Sequence, residues 1–226
     1  MKEKAFPLFD VDPNQPTGFP EIIAMIRNKA QTQSVFFKDM GYYVVSPIQQ
    51  HPELSWEWQH LFIIRDPRKS ILSYYKLDPH IVSDEIGFEA QWKLFQWIKE
   101  TRPDDKGVAP VVLQAEAVQN NPIAIMNAAW KKIGLAPNNH AFSWSDSSTP
   151  ADWQVVAGWH ETAQTSTGIA KPLFQTEAEL ETQFNSVADR HPKLHQYREH
   201  HWPYYEKLKA VAKQQFENAS SDPSAP

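Results

Sequence analysis

Residues 61–75 read LFIIRDPRKSILSYY, and this stretch indicates both the fold class and the position of a binding site. The run 61–64 is continuously apolar and partly β-branched, which is typical of a parallel strand that is covered on both faces. Asp66 is a residue type that caps helices, and Pro67 suits a first helical position. The stretch therefore predicts a buried strand that leads directly into a helix.

Two other short apolar runs, residues 34–38 and 111–113, predict further buried strands, whereas residues 47–57 have a turn-like composition. Between and after these runs, apolar residues at helical spacing predict further helices: one beginning at Pro20, one over 88–98, one over 122–133, and two near 175–188 and 202–216. The alternation of these predicted strands and helices along the chain predicts an α/β fold with a mainly parallel sheet flanked by helices.

The same pattern divides the chain into three parts. Residues 1–18 are rich in Pro, Asp and Asn and predict an extended lead-in. Residues 19–216 carry the strand and helix patterns and predict a single domain. Residues 217–226 are mostly small and polar, which predicts a disordered tail.

Composition excludes several classes of site and partner. The chain has 226 residues and a net charge of −5. It has no cysteine, which excludes disulfides, thiolate metal sites and a Cys nucleophile. The acidic balance gives no reason to expect nucleic acid or an anionic membrane as partner. Because no signal-peptide pattern and no apolar run of about 18 residues is present, we expect a cytoplasmic protein without a membrane partner.

Arg65 lies where the predicted strand ends and the predicted helix begins. Free backbone N–H groups and the helix dipole at such a junction favour a bound anion. Ser70 and Ser73 follow Asp66 by four and seven residues and share its predicted helix face, so they can add hydroxyl groups. The alternative is that Arg65 is a surface residue paired with Asp66 and that the serines are merely exposed.

The spacing of Arg65-Asp66-Pro67 and Ser73 resembles the 3′-phosphate-binding motif of the sulfotransferase family. Segments 35–40, 114–122, 166–168 and 201–208 are similar, in order, to other signatures of bacterial and fungal members. The resemblance implies a P-loop-NTPase-like sulfotransferase fold and the co-substrate 3′-phosphoadenosine 5′-phosphosulfate. It also implies that Arg65 and Ser73 bind the 3′-phosphate, and Ser70 is a further candidate for that site.

Members of this family normally open with a strand and a short Gly/Ser/Thr loop that holds the 5′-phosphosulfate, and residues 1–34 contain no such loop. Three explanations remain open: a truncated enzyme, a degenerate relative that only binds nucleotide, or a loop supplied by another segment or chain. Loss of the first strand would leave an exposed sheet edge, through which a homo- or hetero-oligomer can form.

Sulfuryl transfer also needs a base for the acceptor proton and a cation for the leaving phosphate. Met40 stands where well-known cytosolic members have a His. The candidates that remain are Lys38 as the cation and Asp39 or His160 as the base, although Asp39 is also typical of a helix or turn cap and His160 of a buried structural histidine.

The resemblance implies transfer of a sulfuryl group to a small-molecule hydroxyl or amine. The alternative is a non-catalytic relative that acts as a nucleotide-binding or interaction module. A nucleotide kinase of the related fold is excluded because no Gly-x-x-x-x-Gly-Lys loop is present. No metal site is expected, because Pro192 interrupts the spacing of His191 and His195 and no His-Glu-x-x-His motif occurs.

Overall fold

The structure is a computed structural model, and it describes residues 16–144, 165–169 and 175–217. Internal contacts divide the chain into two units, one formed by residues 1–39 and 144–167 and the other by residues 40–143 and 168–226. Each unit is described by itself below. The single domain over 19–216 stays a prediction, as do the lead-in and the tail, most of whose residues lie outside the described ranges.

The first unit contains helix α1, Phe19–Ala30, which begins after Gly18 and has Pro20 in its first turn. Ile23 and Ile26 are buried along one face of this helix. The strand predicted over residues 34–38 is wrong, because this segment has no regular secondary structure. The side chain of Phe36 is 88% exposed, so the apolar run is not covered by the neighbours that a buried strand requires.

The second unit contains the sheet and most of the described helices. Its strands are β1 (Leu61–Ile64) and β2 (Val111–Gln114). Its α-helices are α2 (Gly41–Gln49), α3 (Leu54–Glu57), α4 (Pro67–Leu77), α5 (Phe88–Thr101), α6 (Ala115–Asn120), α7 (Pro122–Lys132), α8 (Glu177–Ala188) and α9 (Lys193–Phe216). Within the described ranges, no helix combines the length and the apolar character needed to cross a membrane.

The two strands pair in parallel, with Leu61 opposite Val111 and Ile64 opposite Gln114. Both strands were predicted, and the described part of the chain is a helix-rich α/β structure with a two-stranded parallel sheet. The expectation that β1 is covered on both faces is wrong at Ile63, which is 59% exposed. The side chain of Phe62, on the opposite face, is buried, and its ring centre lies 5.9 Å from that of Phe95 on α5.

The two outer edges of this sheet differ. On β2, the side chain of Gln215 accepts from the Val112 N–H at 2.8 Å and donates to the Pro110 carbonyl at 2.9 Å, so it takes the place of a neighbouring strand. On β1, Gln91 donates to the carbonyl of Ile63 at 3.4 Å, and no described residue forms a strand beside it. Within the described ranges, the free edge of the sheet is therefore the outer edge of β1.

Two buried clusters join helices α4, α7, α8 and α9, and the first also includes β2. The first joins β2, α7 and the end of α9, and it contains Val111, Leu113, Ile125, Ala129, Ile133 and Phe216. The second joins α4, α8 and the start of α9, and it contains Ile71, Phe184, Ala188 and Leu194. Helix α9 thus reaches from the helix that follows β1 to the outer side of β2.

The helices differ from the sequence prediction at the start of α9 and over residues 47–57. Helix α9 begins at Lys193 rather than near 202 and continues through Pro203, because its buried side chains recur at helical spacing on both sides of that proline. Residues 47–57 are partly helical rather than turn-like, since α2 extends to Gln49 and α3 follows at Leu54. Leu54 is fully buried, and this tertiary contact outweighs the polar local composition.

Candidate functional site

The junction between β1 and α4 is built as the sequence predicts. Asp66 caps α4: its side chain accepts from the Arg68 N–H at 2.9 Å, and its carbonyl accepts from the Ser70 N–H at 3.0 Å. Pro67 is the first helical residue, where its missing N–H costs no hydrogen bond. Arg65 precedes the cap, directly after the carboxyl end of β1, and its side chain is exposed.

Arg68 forms a buried ion-pair network that the sequence did not predict. Its guanidinium donates to both carboxylate oxygens of Asp66, at 3.0 and 2.6 Å. It also donates to Glu177 at 2.8 Å and to Glu181 at 3.5 Å, both on α8. The guanidinium carbon lies 5.4 Å from the ring centre of Trp202 on α9. Arg68 therefore ties the cap of α4 to the two C-terminal helices.

This network keeps both members of the central pair ionised. Burial by itself would raise the pKa of Asp66, but the hydrogen bonds and positive charge of Arg68 outweigh it and hold that pKa below its ordinary value. The hydrogen bonds to Asp66 in turn raise the pKa of Arg68, against the opposing effect of burial. The alternative in which Arg65 pairs with Asp66 is wrong, because Arg68 is the partner of that carboxylate.

Glu116, two residues beyond β2, contacts the same junction. Its Oε1 accepts from the Asp66 N–H at 3.0 Å, and its Oε2 is buried without a hydrogen-bond partner in the described structure. The N–H groups of Asp66 and Arg68 are thus taken by carboxylates, so the expectation of free backbone N–H groups is wrong at these two positions. An anion here would depend on the Arg65 guanidinium and on serine hydroxyls.

Ser70 and Ser73 both lie in α4, where their spacing from Asp66 places all three on one helix face. Ser73 is exposed and Ser70 is partly buried. The side chain of Arg65 is exposed and forms no hydrogen bond or ion pair with another described residue. Arg65 lies directly beyond the carboxyl end of β1, where ligands of parallel sheets bind, and the two serines lie in the helix that follows. Their donor-binding role stays a prediction.

Three further residues, Lys38, Asp39 and His160, are the candidates for chemistry. Lys38 and Asp39 belong to the first unit, in a segment without regular structure, and both are exposed. Met40, not Asp39, occupies the N-cap position of α2. His160 lies outside the described residues. The roles of Lys38, Asp39 and His160 therefore stay predictions.

A second cluster of titratable groups, which the sequence did not predict, lies at the start of α5. Lys93 and His200 hydrogen-bond Glu89 at 2.8 Å each, and they lower the pKa of Glu89 to about 2. His201 is buried; its Nε2 donates to the Ser83 carbonyl at 2.8 Å and its Nδ1 accepts from the Glu89 N–H at 3.4 Å. Burial lowers the pKa of His201, so it is a neutral structural residue.

Among the described residues, no group of His, Asp or Glu side chains is arranged to hold a metal ion. The acidic side chains of α8 and of α5 instead form ion pairs with basic side chains. Arg68 and Arg198 pair with the carboxylates of α8, and Lys93 pairs with Glu89.

Comparison with known proteins identifies the family. A family model described as a sulfotransferase domain matches residues 6–180, and the chain belongs to the sulfotransferase family. A curated relative, branched-chain-amino-acid aminotransferase-like protein 2 of Arabidopsis thaliana, is 23% identical over 120 residues, which are 53% of this chain. The match spans about a fifth of that protein, 20% of its length. No solved structure matches this chain.

Proposed function

We propose that this chain binds 3′-phosphoadenosine 5′-phosphosulfate and transfers its sulfuryl group to a small-molecule hydroxyl or amine. The observation that carries the proposal is the position of Arg65. In a chain of the sulfotransferase family, an exposed arginine without an ion pair to any described residue stands directly beyond the carboxyl end of β1. Such a guanidinium suits forked contact with a phosphate.

The residues present fit one half of this donor. Arg65 supplies charge for the 3′-phosphate, and Ser73 supplies a directional hydroxyl from the first turns of α4. Because Glu116 and Asp66 already occupy two of the N–H groups at the junction, side chains rather than the backbone would provide most of the contacts. We also propose that the rest of the sheet has the P-loop-NTPase-like arrangement that the sulfotransferase resemblance implies.

In the proposed reaction, the bond between sulfur and the 5′-phosphate oxygen breaks while a bond from sulfur to the acceptor oxygen or nitrogen forms. The acceptor proton passes to a base, for which Asp39 and His160 are the candidates, and Lys38 would balance charge on the leaving phosphate. A transfer assay with donor labelled in the sulfuryl group, over a panel of phenols, alcohols and amines, tests the proposal. Transfer that is lost in Arg65→Ala supports it, and the absence of transfer from the full chain contradicts the enzymatic part.

The second candidate is a non-catalytic relative that binds nucleotide or a partner protein. It is motivated by Met40, which stands where well-known cytosolic members carry a His. In this case the chain would bind 3′-phosphoadenosine 5′-phosphate but give no turnover with any acceptor. The free edge of β1 would then serve to pair with another chain.

Pairing through that edge has its own test. Ile63→Lys places a charge on an exposed side chain of β1, where it disfavours strand pairing while costing about 0.5 kcal/mol or less in the monomer. Sedimentation of the native chain and of this variant is expected to show an oligomer and a monomer, respectively. Identical sedimentation of the two proteins would contradict pairing through β1.

The name of the Arabidopsis relative does not extend to this chain. The match covers 20% of that protein, and the aminotransferase-like description refers to the whole of it. The family model, which matches residues 6–180, carries the proposal instead.

A further inference from the structure

The sheet register brings Asp66 and Glu116 to equivalent positions beyond two neighbouring strands. Ile64 pairs with Gln114, so the residues two further along, Asp66 and Glu116, lie side by side at the carboxyl ends of β1 and β2. The hydrogen bond between the Asp66 N–H and the Glu116 Oε1, at 3.0 Å, is a consequence of this register. The contact links the segments that follow the two strands.

That hydrogen bond acts on the peptide group between Arg65 and Asp66. The N–H of Asp66 is part of this peptide group, so fixing it restricts the backbone rotation of Arg65 on its carboxyl side. The other polar groups of Asp66 are also engaged, its carbonyl by the Ser70 N–H and its carboxylate by Arg68. The exposed side chain of Arg65 therefore projects from a backbone that is held rigidly.

We propose that Glu116 is the positioning residue of the Arg65 anion site: through the Asp66 N–H it holds the backbone from which the Arg65 guanidinium reaches a bound phosphate. This inference rests on the proposed donor site. Glu116 itself does not contact the phosphate, and its negative charge would oppose an anion rather than attract one. It contributes a side chain that is long enough to accept a hydrogen bond from the Asp66 N–H.

Two conservative variants separate the effect of the length of the Glu116 side chain from the effect of its charge. Glu116→Gln keeps the reach and an acceptor oxygen but removes the charge, whereas Glu116→Asp keeps the charge and shortens the side chain by one methylene. If Glu116 positions Arg65, the Glu116→Gln variant retains at least the native affinity for 3′-phosphoadenosine 5′-phosphate. The Glu116→Asp variant binds about tenfold more weakly, which is the scale of one net hydrogen bond. Glu100→Ala, an exposed acid at the end of α5, controls for the loss of one negative charge.

A double-mutant cycle then tests whether Glu116 acts through Arg65. The effect of Glu116→Asp on affinity is expected to disappear when Arg65 is already Ala, because the group that it positions is gone. A purely structural role predicts a loss that persists in the Arg65→Ala background. Calorimetric titrations are run well below the unfolding temperature of every variant, so that changes in stability do not enter the measured affinity.

The outcomes distinguish this inference from the proposed function. If the native chain does not bind 3′-phosphoadenosine 5′-phosphate, the donor site and the role of Glu116 are both overturned. If the native chain binds and Arg65→Ala weakens binding, but Glu116→Asp binds as tightly as the native chain, only the role of Glu116 is overturned. Weaker binding in Glu116→Gln than in Glu116→Asp would likewise contradict positioning through the hydrogen bond.

Discussion

Replacing Arg68 with Met removes the cation at the centre of the buried network beside β1. Arg68 is 4% exposed and Asp66 is 8% exposed, so the substitution leaves a carboxylate that is buried without its main partner. Breaking a buried pair in this way costs about 3–5 kcal/mol of unfolding free energy. The pair with Glu177, whose side chain is 82% exposed, adds about 1 kcal/mol or less.

For a chain of this size the expected loss corresponds to a fall of about 6–20 °C in melting temperature. Urea unfolding followed by circular dichroism measures the free energy, and thermal unfolding gives the second value. Lys69→Met, one position along the same helix, is the matched control and is expected to change stability by about 0.5 kcal/mol or less. Adding Asp66→Asn to Arg68→Met should recover part of the loss, since the uncompensated charge is removed.

A loss below about 1 kcal/mol in Arg68→Met would refute this reasoning, because that value is typical of an exposed pair. The same conclusion would follow if Lys69→Met destabilised the chain equally. In either case the network would be a surface feature, and α8 and α9 would not depend on it for their attachment to the junction.

Two further perturbations test the packing around the sheet. The lowered pKa of buried His201 means that the unfolded state binds more protons, so stability is complete above the unfolded pKa of about 6.5 and falls as pH drops below it. Urea unfolding from pH 7.5 to 5 should show this fall, and a His201→Gln variant with the same pH slope as the native chain would contradict it. Gln215→Leu leaves the Val112 N–H and the Pro110 carbonyl without their partner and should cost about 1–3 kcal/mol. Hydrogen exchange at the Val112 amide is expected to accelerate, and unchanged protection would argue against the role of Gln215 at this edge.

Local patterns were sufficient to predict the elements that surround the candidate site. The apolar run 61–64 and the Asp66-Pro67 pair specify a strand end and a capped helix start without reference to the rest of the chain. Asn121 similarly caps α7, where its side chain accepts from the Ala124 N–H. In each case the deciding interactions lie within a few residues, which is why sequence alone captures them.

The predictions that failed depend on distant contacts. Sequence alone allows Arg65 as the partner of Asp66, whereas the partner in the structure is Arg68, whose guanidinium also contacts Glu177 and Glu181, more than 100 residues further along the chain. The apolar run 34–38 has the composition of a buried strand, but nothing in its own sequence says whether another element covers it. The hydrogen bond between Glu116 and the Asp66 N–H could not be predicted either, because it depends on the register of two strands.

The central claim is that Arg65 is the anion-binding residue of a sulfotransferase donor site. Calorimetric titration with 3′-phosphoadenosine 5′-phosphate at physiological salt tests it most directly in the native chain, in Arg65→Ala and in Lys213→Ala. Lys213 is an exposed charge near the outer edge of β2, two residues before Gln215. We predict that the native chain and Lys213→Ala bind alike, and that Arg65→Ala binds about 10- to 100-fold more weakly through the loss of a charge-assisted hydrogen-bonded pair. Equal affinity in all three proteins, or no binding by the native chain, would contradict the claim.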